Sequence, residues 1–293
     1  MAVAMRAESA VPFAAGLPPA VRGGLLLVGG VLLAGAVVMV APLGFNLLLA
    51  VPRIAAIDAA WLEGLFVTSV FGLLALVAML GLHLAGRRAG WGARPAMAAP
   101  AGLACGVAGV AAALLLCRIA GTLVPGSAAG IGLGALLGGS LALLAQTGAE
   151  EYFFRGWLQP GVIAGWGRWP GLAASALGFA VVHFVSAAGA PLALLNLALA
   201  GLWLGILAER SGGLALPIAA HFGWNWAEEL LLGAYPNPGV GNFGAVLDFD
   251  LASNPLWGGS GEALNASLAA AFALAALIAA SLAWPDGRAP ARR

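Results

Sequence analysis

Glu150 and Glu151 stand side by side and are followed four residues later by Arg155, in a stretch otherwise built from Ala, Leu, Gly and aromatic residues. Ionisable groups in such apolar surroundings are costly and are candidates for function. Glu151 and Arg155 are i and i+4, with the acid on the favourable N-terminal side of the cation, so they share a helix face and can pair. Glu150 is rotated about 100° away. It is left to face a different cavity, where a carboxylate screened from water suits a general base. Two later segments add nitrogen ligands and donors. Phe179 lies one helical turn before His183 and can wall its pocket, and His221 and Asn225 are again i and i+4. A paired His and Asn suit a developing oxyanion, which needs preorganised donors in a water-poor setting.

Each of these residues also has a plain structural use. Glu151 and Arg155 can be an ion pair that only holds helices together. His83, close to Arg87, reads as interfacial, and Asn196 as a helix-to-helix hydrogen bond. Glu228 lies seven residues after His221, nearly on the same face, where it could tune that imidazole; Glu229 reads as water-facing.

The elements that must carry these residues are membrane helices. The chain has 293 residues, 62% of them hydrophobic and 9% charged, with a mean hydropathy of +0.98. A water-soluble chain needs a far more polar coat. Uncharged runs of about 20 residues, enough to cross about 30 Å of hydrocarbon, occur at Gly23 to Leu47, Gly64 to Ala85 and Ala96 to Leu116. A longer run from Ile131 passes through Glu150 and Glu151 to Gln159, where Pro160 and Gly161 are expected to end it. Four more follow at Gly171 to Ala188, Leu192 to Ala208, Leu214 to Gly233 and Ala263 to Trp284. The expected fold is therefore all-α, a polytopic membrane helical bundle of about eight transmembrane helices. Its expected organisation is a cytoplasmic tail over 1–22, transmembrane helices 1–3 over 23–118, a core of helices 4–7 over 131–233, an extracytoplasmic loop over 234–262, and the last helix with a cytoplasmic tail over 263–293.

Charge sets the expected orientation. With the N-terminus inside, the cytoplasmic side holds Arg6, Arg22, Arg87, Arg88, Arg94, Arg155, Arg168, Arg210, Arg288, Arg292 and Arg293, against Arg53 and Arg118 outside. Basic loops stay in the cytoplasm, so both termini are expected there, in what the Arg-only, Ala- and Gly-rich usage suggests is a bacterial inner or plasma membrane. Counted from the proposed cytoplasmic ends, Glu150 lies about 13 Å deep, His183 about 18 Å and His221 about 12 Å. Three helices thus bring one carboxylate and two imidazoles to a similar level. A net charge of +1 offers no basic field for nucleic acid, which needs clustered cations. Cys105 and Cys117, 12 residues apart on one apolar run, are about 18 Å apart on a helix and beyond disulfide reach.

These residues resemble a family, the CPBP intramembrane proteases, which include the type II CAAX prenyl proteases and bacteriocin-processing or self-immunity proteins. Its Glu-Glu-x-x-x-Arg motif is similar to Glu150, Glu151 and Arg155, its Phe-x-x-x-His to Phe179 and His183, and its His-x-x-x-Asn to His221 and Asn225. All three stand in family order on separate expected spans, within about residues 131–230. The resemblance implies an endopeptidase whose site lies inside the membrane and opens to the cytoplasm, acting on a membrane-attached peptide or protein that can be lipidated. It implies Glu150 as the base that activates water, His183 as a holder of that water, His221 and Asn225 as oxyanion donors, and Glu151, Arg155 and Phe179 as support.

Glu150, His183 and His221 could also supply the three protein ligands of a catalytic zinc. Because His-Glu-x-x-His is absent and Asn225 fits a donor better than a ligand, the preferred reading is catalysis without a metal or other cofactor. The competing functions are a non-proteolytic scaffold or immunity protein that keeps the pocket, and a transporter using the same midplane groups. No repeat relates the two halves of the chain, which weighs against the transporter.

Overall fold

In the computed structural model the described residues are 16–126, 130–183, 190–234, 241–258, 260 and 263–283. The apolar runs fold as helices because every backbone N–H and C=O must find an internal partner where water is absent. Three long helices come first: α1 (Pro19–Leu49), then, after the single turn α2 (Pro52–Ala55), α3 (Ala59–Leu84) and α4 (Pro95–Ile119). Proline opens α1, α2 and α4, a position where its missing N–H would be unpaired in any case. Asp58 caps α3 by accepting the Ala60 N–H at 3.0 Å, the usual use of a short acidic side chain at a helix start. The first helix begins within the expected tail, taking in residues 19–22.

The second half carries the polar motifs. Helix α5 (Leu133–Glu151) passes without a break into π-helical turns over Tyr152–Leu158 and then into α6 (Gln159–Trp166). Helices α7 (Arg168–Val182) and α8 (Pro191–Ser211) follow. Helix α9 (Ala215–Trp226) again widens into a π turn, Ala227–Leu231, and α10 (Leu268–Ala283) is the last. The helical run therefore does not stop at Pro160. The π turns end at Leu158, so Pro160 falls in the first turn of α6, where proline is tolerated; the stop is Gly167, at φ 83°, a left-handed conformation that glycine adopts freely.

Helices occupy all eight expected segments, and α1, α3, α4 and α8 are long and apolar enough to cross a membrane. The count of eight is not reached on length alone. The helices that bear the motifs are shorter or carry charge, and α10 is apolar but has 16 residues. Of the positions named from the sequence, residues 184–188, Glu262, Trp284, Arg6, Arg288, Arg292 and Arg293 lie outside the described residues.

Among the described residues a short antiparallel pair stands beside the helices. Leu123–Pro125 (β1) pairs antiparallel with Phe249–Leu251 (β2), Leu123 opposite Leu251. Runs of three residues leave no periodicity for a sequence reading to detect. The same 241–258 segment satisfies the end of the second π turn: Val246, Leu247 and Phe249 donate their N–H groups to the carbonyls of Leu230, Leu231 and Leu232. The region expected to be a loop is thus, in its described part, a cap on the helix that carries His221.

Apolar side chains alone do not say which face of a uniformly hydrophobic helix packs; small residues do. Helices α4 and α9 meet at Gly102, Gly106 and Gly223. A Cβ on Gly106 would run into the Ala220 carbonyl and the Trp224 N–H, and one on Gly223 into the Leu103 carbonyl. Around this contact Val110, Ala113, Leu114, Trp203, Trp224 and Leu274 form one buried cluster. A second joins α1 and α3 to the first π turn through Ala34, Val70, Leu74, Phe153, Phe154 and Phe179. The polar motif residues lie between these two. Gly106→Val should force α4 from α9 and cost about 1–3 kcal/mol, the usual penalty for overpacking. In a thermal melt its midpoint is expected to fall, whereas Gly72→Ala, with open space around it, should leave the midpoint unchanged.

Candidate active site

The first motif sits where α5 changes to π turns, and its acids do two different things. Arg155 Nη1 lies 2.8 Å from Glu151 Oε1, a fully buried ion pair on one helix face. Arg155 Nη2 donates to the Gly201 carbonyl of α8 at 3.0 Å, and the guanidinium carbon lies 4.8 Å from the centre of the Phe179 ring of α7. The cation therefore ties three elements. Gly201 can serve as the acceptor so close in because a Cβ there would press against the Ala176 backbone of α7.

Glu151 has a second partner that no local spacing announces. Its Oε1 also lies 2.9 Å from His221 Nδ1, 70 residues away in sequence. A carboxylate oxygen accepts, so Nδ1 carries the proton and His221 Nε2 turns the other way. There it lies 3.5 Å from Glu150 Oε2. The same logic orients His183: its Nδ1 is 2.8 Å from the Phe179 carbonyl, which only accepts, and its Nε2 is 3.8 Å from Glu150 Oε1. Glu150 thus has one imidazole on each carboxylate oxygen, each with its far nitrogen held by a fixed acceptor.

Glu150, Glu151 and His221 are buried and His183 is not: its side chain is 25% exposed, against 5% for that of Glu150. The site is open on the His183 side. The Phe179 ring packs against both imidazoles, at 4.4 Å from His183 and 6.2 Å from His221. Its chief polar contribution comes from its backbone, which the motif spacing does not reveal.

Asn225 lies one turn beyond His221, half-buried, on the same helix face. The structure thus brings Glu150, His183, His221, Glu151, Arg155 and Phe179 together, with Asn225 one helical turn from His221 on α9. Among the described residues no group of three His, Cys, Asp or Glu is arranged to hold a metal ion. The two Nε2 atoms lie nearest different oxygens of Glu150.

The remaining polar residues sort by their partners. Asn196 Nδ2 donates to the carbonyls of Asn265 and Ser267 at 2.9 Å each, joining α8 to the turn before α10, and His83 is exposed near the end of α3. Glu228 accepts from Trp224 Nε1 at 3.1 Å, within its own helix. Gln159 donates to the Gly205 carbonyl of α8 at 3.1 Å, one turn beyond the Arg155 tie, a role that motif spacing does not disclose. Gln146 is a further polar residue that the motifs pass over, although its position one turn before Glu150 is plain in the sequence.

Breaking one partner of a buried ion pair leaves an uncompensated charge and costs about 3–5 kcal/mol. Arg155→Met is expected to lower the melting midpoint strongly, and Glu151→Gln combined with Arg155→Met should recover part of the loss. A double variant no more stable than Arg155→Met would contradict a charge-pairing role.

Residues 132–227, about a third of the chain, match the family model described as type II CAAX prenyl endopeptidase Rce1-like. All seven residues of the three motifs fall within that segment. No curated protein matches the chain, and no solved structure matches it.

Proposed function

We propose, from a chain whose residues 132–227 match the Rce1-like family of type II CAAX prenyl endopeptidases, that this protein is an intramembrane endopeptidase in which Glu150 activates the attacking water. The observation that carries the proposal is Glu150 itself, a buried carboxylate with His183 Nε2 on one oxygen and His221 Nε2 on the other. A structural ion pair would not need two imidazoles aimed at one acid, and Arg155 is already paired with Glu151.

In this mechanism a water held by His183 and Glu150 loses a proton to Glu150 as its oxygen bonds to the scissile carbonyl carbon. The negative charge moves to the carbonyl oxygen, where His221, when it carries both ring protons, donates from Nε2 alongside the Asn225 amide. Glu150 then returns the proton to the departing amine as the C–N bond breaks, so acid and base are the same residue. Glu151 holds the His221 ring by its Nδ1 and Arg155 neutralises Glu151. Every step uses side chains of this chain, without a metal or other cofactor.

The proposed setting is a bundle of eight crossings in a bacterial inner or plasma membrane, both termini cytoplasmic, with the exposed edge of His183 toward the substrate's entry. The four long apolar helices support an integral membrane protein. The short ones gain their partners inside the bundle, where broken helices are tolerated. The substrate class is a peptide or protein already in the membrane, with a lipidated C-terminal segment as one form.

The test is cleavage of a quenched peptide library, including prenylated C-terminal peptides, by the purified protein in detergent, with and without chelator. Glu150→Gln and His183→Ala should each lower kcat/KM by about 10²–10⁴, the usual worth of a general base, and chelation should change nothing. Variants that cleave as fast as the parent would overturn the proposal, and chelator-sensitive cleavage would replace its mechanism with a metal-dependent one.

A further inference from the structure

Gln146 lies four residues before Glu150 on α5, on the same helix face, and it is half-buried. Its carboxamide oxygen is buried and has no hydrogen-bond partner among the described residues. The neighbouring Thr147 hydroxyl, by contrast, donates to the Leu143 carbonyl at 2.8 Å, so a polar side chain at this depth does find a partner when its role is structural. An unsatisfied buried carbonyl costs about 1–3 kcal/mol. That cost favours an apolar residue over glutamine at this position, unless the amide is used in another state of the protein.

Its surroundings say what would use it. Two contacts fix α5 antiparallel to α9: Glu151 with His221 at 2.9 Å, and Ser140 Oγ accepting from Trp226 Nε1 at 3.0 Å. Between these ties stand Gln146 on one helix and Asn225 on the other. Gln146 thus extends the row of Glu150 and His221 by one turn, about 6 Å along the helix. That rise matches about two residues of an extended peptide.

From this geometry we infer that Gln146 binds the backbone of the peptide substrate about two residues from the bond that Glu150 attacks. A carboxamide has both an acceptor and donors, so it can replace the backbone partners an extended peptide lacks in a site that little water reaches. Such a contact is indifferent to substrate side chains and selects for extended conformation. The inference rests on the endopeptidase reading for its substrate class, and its test does not depend on turnover.

The test is a binding titration in nanodiscs with a fluorescent farnesylated octapeptide and a scan of its single N-methyl derivatives, against Glu150→Gln protein with Gln146 intact or changed to Leu or Met. With Gln146 intact, one N-methyl position should weaken binding about tenfold, the worth of one buried hydrogen bond. Gln146→Leu should raise Kd for the unmethylated peptide by a similar factor, and that N-methyl group should then cost less than about twofold. The melting midpoints of the Gln146→Leu and Gln146→Met proteins should equal or exceed the parent's, since an unsatisfied group is removed. Equal affinity of the Gln146-intact and Gln146→Leu proteins, or a lowered midpoint with no N-methyl coupling, would overturn the role. Peptide that binds without ever being cleaved by protein with Glu150 intact would overturn the endopeptidase reading alone; a parent that binds none of the peptides would overturn both.

Discussion

One oxygen atom holds the polar centre together. Glu151 Oε1 is shared by Arg155 and His221, on a side chain with no exposure at all. In a medium of low dielectric each of these groups would be untenable alone, because desolvation exceeds what a poor partner returns. Together they form a chain that runs from the Gly201 carbonyl of α8, through the cation and the acid, to the imidazole of α9. The Phe179 ring closes it from α7. Three elements far apart in sequence are thus fixed relative to Glu150 by side chains that need not touch a reacting atom. Their geometry is specified more sharply than apolar packing could achieve, since hydrogen bonds have direction and dispersion does not.

The backbone carries a matching device. Two of the three motif-bearing helices widen into π turns, at Tyr152–Leu158 directly after Glu150 and Glu151 and at Ala227–Leu231 after His221 and Asn225. Such turns are uncommon and gather at functional sites. Here the first one changes the direction in which successive side chains leave the helix just where Phe153, Phe154 and Leu158 must enter one apolar cluster while Arg155 turns to Gly201. The second is capped by the N–H groups of residues 246, 247 and 249, which keep its last carbonyls paired.

Local relations are legible in the sequence and distant ones are not. The Glu151 to Arg155 pair follows from i,i+4 spacing, and the similar depth of Glu150, His183 and His221 follows from counting residues along helices. Asn196 is the helix tie its position suggests. The bond between Glu151 and His221 has no signature, because nothing in 70 residues of apolar sequence states which faces will meet. The fourth run continues past its expected end at Pro160 because a π turn resets the local register, and hydropathy does not report it. The β1–β2 pair and the cap on α9 are hidden in two connecting segments whose Gly and Pro content reads only as loop.

The division of the chain into long and short helices has a physical reason. A helix whose charge lies only at its end, as Arg118 does in α4, can be held by lipid and by close approach at small residues, here Gly102 and Gly106. A helix with buried ionisable groups cannot, and must be surrounded by protein that supplies the missing partners. The residues of the site therefore stand on α5, α7 and α9, while α1, α3 and α4 present much of their apolar surface outward and the largely buried α8 supplies the Gly201 and Gly205 carbonyls to Arg155 and Gln159. Helices α1 and α3 pack against Phe153, Phe154 and Phe179 beside the site and so keep lipid from it. Without that enclosure the interaction across the 3.5 Å between Glu150 and His221 would be screened to near the strength it has in water. The packing of the apolar helices is thus a condition of the chemistry proposed for Glu150.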